Sequence, residues 1–500
     1  RSDSKSRTNY GRGHFSAVFD PTPKHTAGFD IEYTERSTHM PTLSRTTLGQ
    51  TQSDSRYRQH MDGNTLTATA NYIWKIDTLG SQFKLIADYT RYTSDGDNSY
   101  HTTTCAPGTL RDSLYESATG SVYDILTADA GLTRKLPHGL TLRAGLRYTR
   151  NDMADKSRYA AQTQGTWLAL PEYSYDQHYT EQIGAAYASL EYSAGRWELS
   201  AGLRGEYTSV ASQAFGRSYF GLFPNVSVSR ALNALRTWLL VAQWSRNIER
   251  PAFPALNPAR IRISDYSWQS GNPSLRPTYI HRFSLTAVWK YRYTLTVGGN
   301  LHHDLIREIA HRDATAPDAV YIRPENHYTE NHWFVAASVP AKITRWWNLS
   351  VNAVGVMQRI RLNSTDSPAT HYLMFADATC SFTLPAGFFA EAAYRAQSRL
   401  YSGNSEVGPR HTLSATVKKQ LFDKRLTLFC TLSNITGCDW EFASLTDGMR
   451  RTIDTRQAWS GRLWKVGAAW NFRTGKKFRA RTVESAAETQ RKRLVKSTEQ

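Results

Sequence analysis

The run Leu140-Thr141-Leu142-Arg143-Ala144-Gly145-Leu146-Arg147-Tyr148 places an apolar side chain at every even position and a polar residue or glycine at every odd one. Successive side chains of an extended chain point to opposite faces, so the run reads as a strand with one apolar and one polar face. Trp197-Glu198-Leu199-Ser200-Ala201-Gly202-Leu203-Arg204-Gly205-Glu206-Tyr207 repeats the design. Phe283–Trp289 and Leu426–Leu432 follow it with one lapse each, and Trp464–Phe472 closes the set. No amphipathic helix competes with this period.

Two details of these strands set the fold class. The apolar face begins or ends in an aromatic residue at Tyr148, Trp197, Tyr207, Trp289, Trp464 and Trp470. Such rings sit well at the headgroup level of a membrane. The other face carries Arg143, Arg147, Arg204, Glu206, Arg282, Lys290 and Lys465. Charges on that face need water or partners, which a wide lumen or a plug supplies and a packed sandwich core does not.

Connections alternate as regularly as side chains. Short turns are expected near 21–24, 78–81, 137–139, 193–195, 233–235, 291–292, 344–345, 385–387 and 423–424. Long polar loops are expected over 37–62, 92–119, 152–177, 210–221, 247–278, 310–327, 362–370, 403–409 and 436–456. Short turns at one end and long loops at the other describe an outer-membrane barrel with periplasmic turns. The expected fold is therefore all-β, a large antiparallel transmembrane β-barrel over residues 1–473. About 19 strands are visible; the order of turns implies an odd number upstream and a total of about 22. Residues 474–500, with Lys476, Lys477, Arg479, Arg481 and Arg491–Arg493, read as a basic, disordered tail.

Composition agrees with this class and excludes others. The chain has 500 residues and a formal net charge of +18, with 27 Tyr and 14 Trp. No apolar run reaches the ~18–20 residues of a transmembrane helix, which does not bear on a barrel. Four scattered cysteines and no CxxC pattern give neither a disulfide framework nor a zinc motif. Arg1–Lys5 is no signal peptide, so an exported protein would show here as an internal or processed piece. Basic residues are spread along alternate strand positions rather than gathered in a patch. No nucleic-acid partner is expected; the lumenal arginines favour anionic substrates or pairing with acids such as Glu198 and Glu206.

The one irregular region is SRNIERPAFPALNPARIRISDYSWQSGNPSLRP, residues 245–277. Pro251, Pro254, Pro258, Pro273 and Pro277 forbid a helix or a central strand. The segment connects an ascending to a descending strand, so it is an outward-facing loop, stiffened by proline and turned tightly at Gly271 and Asn272, which permit positive φ. A stiff loop is expected to fold over the barrel mouth. Arg250, Pro251, Asn257, Pro258, Gly271, Asn272, Pro273 and Pro277 are its shaping residues.

The ordered series Leu222-Phe223-Pro224, Ser245-Arg246-x-Ile248-x-Arg250-Pro251, Leu256-Asn257-Pro258 and Gly271-Asn272-Pro273-x-Leu275-x-Pro277 resembles the β-barrel region of TonB-dependent outer-membrane receptors. It is most similar to their outer membrane protein beta-barrel branch. The resemblance implies a barrel of about 22 strands, in the outer membrane of a Gram-negative bacterium. It also implies an N-terminal plug inside the barrel and energy from the TonB complex. Its ligands would be too large for porins: an iron chelate, haem, a glycan or a peptide. Membrane lipid and possible surface lipoproteins are the other implied partners. No plug or TonB-box-like segment is found before Gly11, so coupling is implied for a parent receptor. The alternative is a non-transporting barrel acting as adhesin, signalling receptor or lipoprotein partner.

Site candidates are few. Loop aromatics Tyr219, Phe220, Tyr266, Trp268, Tyr328 and Trp333 could stack on a ligand; the alternatives are loop packing and interface anchoring. His302 and His303 point to opposite faces of a strand, and with His311, His327 and His332 they match no metal spacing. No metal, cofactor or catalytic residue is expected, since nucleophile-elbow, HExxH and phosphate-loop motifs are missing from the sequence. An outer-membrane fraction is expected to give a heat-modifiable band on a semi-native gel. A freely soluble monomer without detergent would exclude the barrel.

Overall fold

The computed structural model describes residues 2–213, 215–258, 260–264, 267–313, 319–438, 440–446, 449–455, 462–472 and 483–494. Within them one 23-stranded sheet dominates. Its short pieces Ser2–Ser4, Thr166–Ala169, Ile261–Ser264 and Ser267–Gln269 are trimmings at the long-loop end; the remaining nineteen strands form the wall. Neighbouring wall strands are antiparallel and paired in sequence order, from Arg7–Thr22 to Leu463–Trp470. Among the described residues those two end strands have no ladder to each other.

All nine expected short turns are present between wall strands, for example Pro137–Gly139 between Thr109–Leu136 and Leu140–Thr163. The long loops differ. Most of 37–62, 92–119 and 152–177 is strand, and the hairpins turn only at Gly49 (φ 58°), Gly108 (φ 72°) and Gly165 (φ 80°). Strand Thr109–Leu136 has 28 residues, against the ~9–11 that cross a bilayer. Above the membrane polar residues such as Asn151, Asp155 and Ser157 share the buried inner face with Met153 and Tyr159, so the apolar–polar alternation that reveals a strand is lost. The ladder itself continues, because each neighbour continues beside it.

The side chains show a protein turned inside out. In Leu140–Thr163 the apolar residues Leu142, Leu146 and Tyr148 are exposed, whereas Thr141, Thr149 and Asn151 are buried. The same holds for Leu199, Leu203 and Tyr207 against Glu206 and Thr208. An exposed apolar face with a buried polar one suits hydrocarbon outside and a polar lumen. Two rows of exposed aromatics bound the band. Trp74, Trp197, Trp238, Trp289 and Trp470 lie at the short-turn end, and Tyr148, Tyr207, Phe220, Trp333 and Trp464 lie at the other. From Trp197 to Tyr207 the strand rises by about 33 Å, or about 25 Å at a tilt of ~40°, the height of a barrel's apolar band.

Above Tyr148 the polarity reverses. Arg150, Lys156 and Arg158 now face out, while Met153, Asp155 and Tyr159 face in and are buried. Inward-facing rings form a file there: Tyr57, Tyr100, Tyr159, Tyr173 and Trp268, each 5.4–6.4 Å from the next. A separate four-stranded sheet, Leu400–Ser402, Ser405–Val407, Trp440–Thr446 and Met449–Thr455, covers part of the same rim. It is tied to the wall by reciprocal bonds between Asn404 and the Ala310 backbone, 3.0 and 2.7 Å.

Of the disordered tail expected over 474–500, residues 483–494 depart from that expectation, and the others lie outside the described residues. Residues 483–494 lie against the inner wall, with a helical turn at Glu488–Arg491 and with Ala486, Ala487, Gln490 and Arg493 buried. Counting its charges predicted a solvated end; the counter-charges that hold it lie hundreds of residues away. Leu203 faces out midway between the aromatic rows. Leu203→Arg is expected to lower barrel stability by about 2–4 kcal/mol, read as a lower transition in reversible refolding titrations in lipid.

Candidate functional site

The loop that follows Glu249 enters the barrel rather than rising above it. Its short helical turn Phe253–Leu256 and Leu275 place three side chains with 0–1% exposure among Tyr123, Ile125, Met153, Tyr179 and Val210 of the inner wall. These apolar inward residues stand just above the membrane band. The result is a small oil-filled core inside the mouth, of the kind a soluble domain builds.

The shaping residues act as expected in position but not all by the expected means. Gly271 was expected to supply positive φ; its backbone is not in that region. Glycine is required there by close approach, since a Cβ would lie 2.1 Å from the Asn257 carbonyl oxygen and 2.7 Å from that of Ala255. The Gly271 and Asn272 amides donate to the Asn257 and Ala255 carbonyls at 2.9 and 2.7 Å, zipping the two halves of the loop together. The Asn272 side chain donates to the Pro324 carbonyl at 3.0 Å and accepts from the Ser274 amide at 3.1 Å. Pro251 and Pro277 are buried at the two feet of the loop. Asn257 hydrogen-bonds the buried Asp155.

Arg250 anchors the first foot in a buried ionic chain. Its Nη2 donates to Glu206 Oε2 at 2.7 Å and to Thr208 Oγ1 at 2.9 Å, and its Nε lies 3.9 Å from Glu181 Oε1. Glu206 Oε1 accepts from Arg204 at 2.5 Å. Glu181 Oε2 accepts from Asn151 at 2.9 Å and from Arg493 at 2.5 Å. Charges so buried are tolerable because each carboxylate faces two guanidinium groups; removing Arg250 alone would cost roughly 3–5 kcal/mol. The second foot is held by Arg276, which donates to Asp304 at 2.6 Å, and by Arg217, which donates to the Leu275 carbonyl at 2.5 Å.

The sequence-predicted aromatics do not form one group. Tyr219 and Phe220, expected in a loop, lie in strand Gly216–Ala231. Tyr219 faces inward within electrostatic reach of Arg250, whereas Phe220 is 65% exposed on the outer face opposite Tyr207. Trp333 is likewise an outer strand residue, edge-on to Phe283 at 5.1 Å. Both belong to the upper aromatic row, where an amphipathic or flat ring anchors the interface. Tyr328 packs edge-on to His303, with 5.5 Å between centroids. Trp268 stacks on Tyr173 at 6.0 Å inside the rim. Tyr266 lies outside the described residues.

A second buried cluster escapes the sequence reading, which finds only that His327 and His332 match no metal spacing. Glu330, with 0% exposure, accepts from Arg307, His332 and Gln358, each at 2.8 Å, and His327 Nδ1 stands 3.5 Å away. The His302 ring donates to the Glu330 carbonyl at 2.7 Å. Among the described residues no three His, Cys, Asp or Glu side chains are placed to hold a metal ion. The partners come from three strands, and nothing in local sequence foretells their meeting.

Asp155 links wall and loop well above the membrane band. It accepts from Ser121 Oγ at 2.5 Å and from Tyr123 OH at 2.8 Å, yet burial pushes its carboxyl above the usual carboxylate range. A raised carboxyl pKa contributes stability that is present in acid and is lost as pH rises through the folded-state value. Loop protection in hydrogen exchange should therefore weaken as pH rises through that window. Asp155→Asn, neutral at every pH, should flatten the dependence.

Comparison with known proteins agrees with this architecture. The model of the outer membrane protein beta-barrel family matches residues 74–470. No curated protein matches the chain by sequence. Among solved structures, the chain is similar to the ferric-catecholate import receptor Fiu from E. coli K12, with a TM-score of 0.57 and 10% identity over 94% of this chain and 81% of that one. It is also similar to a chain of the FpvAI–pyocin S2 complex, with a TM-score of 0.53 and 11% identity over 94% of this chain and 72% of that one. At these identities the likeness is one of fold. The inverted polarity, the two aromatic rows and the family match converge: this chain belongs to the outer membrane protein beta-barrel family, and its place is the outer membrane of a Gram-negative cell.

Proposed function

We propose that the barrel is the wall of a TonB-dependent receptor that imports a ligand too large for porins. One observation carries this reading: a polar lumen into whose mouth a loop folds, tied to the wall at one foot by the buried Arg250–Glu206 pair and at the other by Arg276–Asp304. A diffusion pore has no use for such a loop, whereas a receptor that captures and then admits a ligand does. Iron chelate, haem, glycan and peptide are the candidate ligands. Tyr219 and Trp268, which face the interior, are the aromatic contacts assigned to it. Energy would come from the TonB complex through an N-terminal plug domain, as the family resemblance implies.

A second reading has its own observation. Strands of 24–28 residues carry the wall far beyond the membrane between His25 and Thr163. Such tall ribbons offer a surface for a lipoprotein or another macromolecule, as in a binding barrel that does not transport.

Whole-cell accumulation of radiolabelled ferric catecholate, haem, oligosaccharide and peptide separates the two. Import of one ligand that needs both this barrel and an intact TonB complex is the expected result. Surface binding that depends on the barrel, with no accumulation in energised cells, would replace the first reading by the second.

A further inference from the structure

The segment 483–494 makes a specific set of contacts inside the barrel, and neither strand pairing nor loop packing accounts for them. At its start Glu484 pairs with Lys84 at 2.5 Å. The Ala486 amide donates to Oδ2 of Asp88 at 2.7 Å, while Oδ1 of that carboxylate accepts from Thr69 at 2.5 Å. Asp88 and Ala487 have 1% and 0% exposure, so this end is seated in the wall and not merely resting on it. Gln490 meets Asn151 at 3.4 Å. The contacts thus run from strand Gln82–Ala106 across Leu140–Thr163 to Tyr175–Ala194.

Arg493 completes the set. It is 7% exposed. Its Nη1 donates to Glu181 at 2.5 Å and to Gln490 at 2.9 Å, and its Nε donates to the Pro251 carbonyl at 3.0 Å. Its guanidinium lies 4.3 Å from the centre of the Phe253 ring, and Leu494 packs against the same apolar core. This planar cation has a carboxylate and a carbonyl at its edge and an aromatic ring on its face, the groups that recognise a guanidinium, while its Nη2 is buried without a hydrogen-bond partner. Two of those three groups, Pro251 and Phe253, belong to the loop; the third, Glu181, belongs to the wall.

We propose that residues 483–494 are a resident lumenal latch. Arg493 fills a guanidinium site built by Glu181, the Pro251 carbonyl and Phe253, and by filling it ties the mouth loop to the wall. A ligand or domain that competes for this guanidinium site would displace the latch, and displacement frees the first foot of the loop. The geometry makes the loop's order depend on residues 483–494.

The test uses the full chain, folded in detergent micelles, with Cys105, Cys380, Cys430 and Cys438 replaced by serine. Ala487→Cys is labelled with a membrane-impermeant maleimide and compared with a chain that keeps only the exposed Cys105. The expected result is labelling about tenfold slower or more at position 487, as for a site reached only by local opening. Adding Arg493→Glu should bring the rate close to that of Cys105, with the heat-modifiable band retained. Asp88→Cys with Ala486→Cys should form a disulfide under mild oxidant, and this pair remains decisive if a charge substitution disturbs folding. Labelling at 487 as fast as at Cys105, or no disulfide in the folded band, would overturn the latch. Protection unchanged by Arg493→Glu would overturn the role of the guanidinium site. These readouts report lumen occupancy whether or not the barrel imports a ligand.

Discussion

The backbone hydrogen bond decides this structure. Inside hydrocarbon an unpaired amide or carbonyl costs several kcal/mol, so a chain without a long apolar helix can cross only as laterally paired strands. Nineteen wall strands, each laddered to its sequence neighbour, meet that demand. Everything else follows from the face each side chain then takes. Leu142, Leu146 and Tyr148 turn to lipid, and Arg143 and Arg147 turn inward.

A polar lumen creates its own problem, because charges brought together in a narrow space need partners. The wall solves it pairwise, across the ladder for Arg147 with Asp129 at 2.7 Å and Arg143 with Glu191, and along one strand for Arg204 with Glu206. Close fit accompanies this pairing. Tyr187 lies flat across Gly145, where a Cβ would stand 2.4 Å from its hydroxyl, and so reaches Asp129 at 3.3 Å.

Two solvents divide the molecule at the row of Tyr148, Tyr207, Phe220 and Trp333. Below it the inner face is polar and the outer face apolar; above it the inner face gathers Tyr123, Met153, Tyr159 and Tyr179 while arginines and lysines face out. A membrane barrel thus carries a soluble-type core on its upper rim, and the proline-rich loop is the element that closes that core. The same residues that close it, Arg250 and Pro251, connect it to the ionic chain through Glu181 and Glu206. Packing and electrostatics of the mouth are consequently one coupled system, into which the segment carrying Arg493 is also drawn.

The sequence by itself determined the strands within the apolar band, all nine short turns, the aromatic rows and the irregular, proline-stiffened loop after Glu249. Each rests on a local rule: the two-residue period, the conformational limits of proline and glycine, the preference of rings for an interface. It could not show where polar strands continue above the membrane, because there polar residues such as Asn151, Asp155 and Ser157 lie on the buried face too and leave no apolar–polar alternation to read. Nor could it separate Phe220 and Trp333, which face lipid, from Tyr219, which faces the lumen. Strand register decides that, and a shift of one residue reverses every face. The meeting of Glu181, Arg250 and Arg493, or of Glu330 with Arg307 and Gln358, belongs wholly to the tertiary structure. These groups are distant in sequence, and only the curvature of a paired wall, with a loop and a chain end turned into it, brings them within a hydrogen bond or an ion pair of one another.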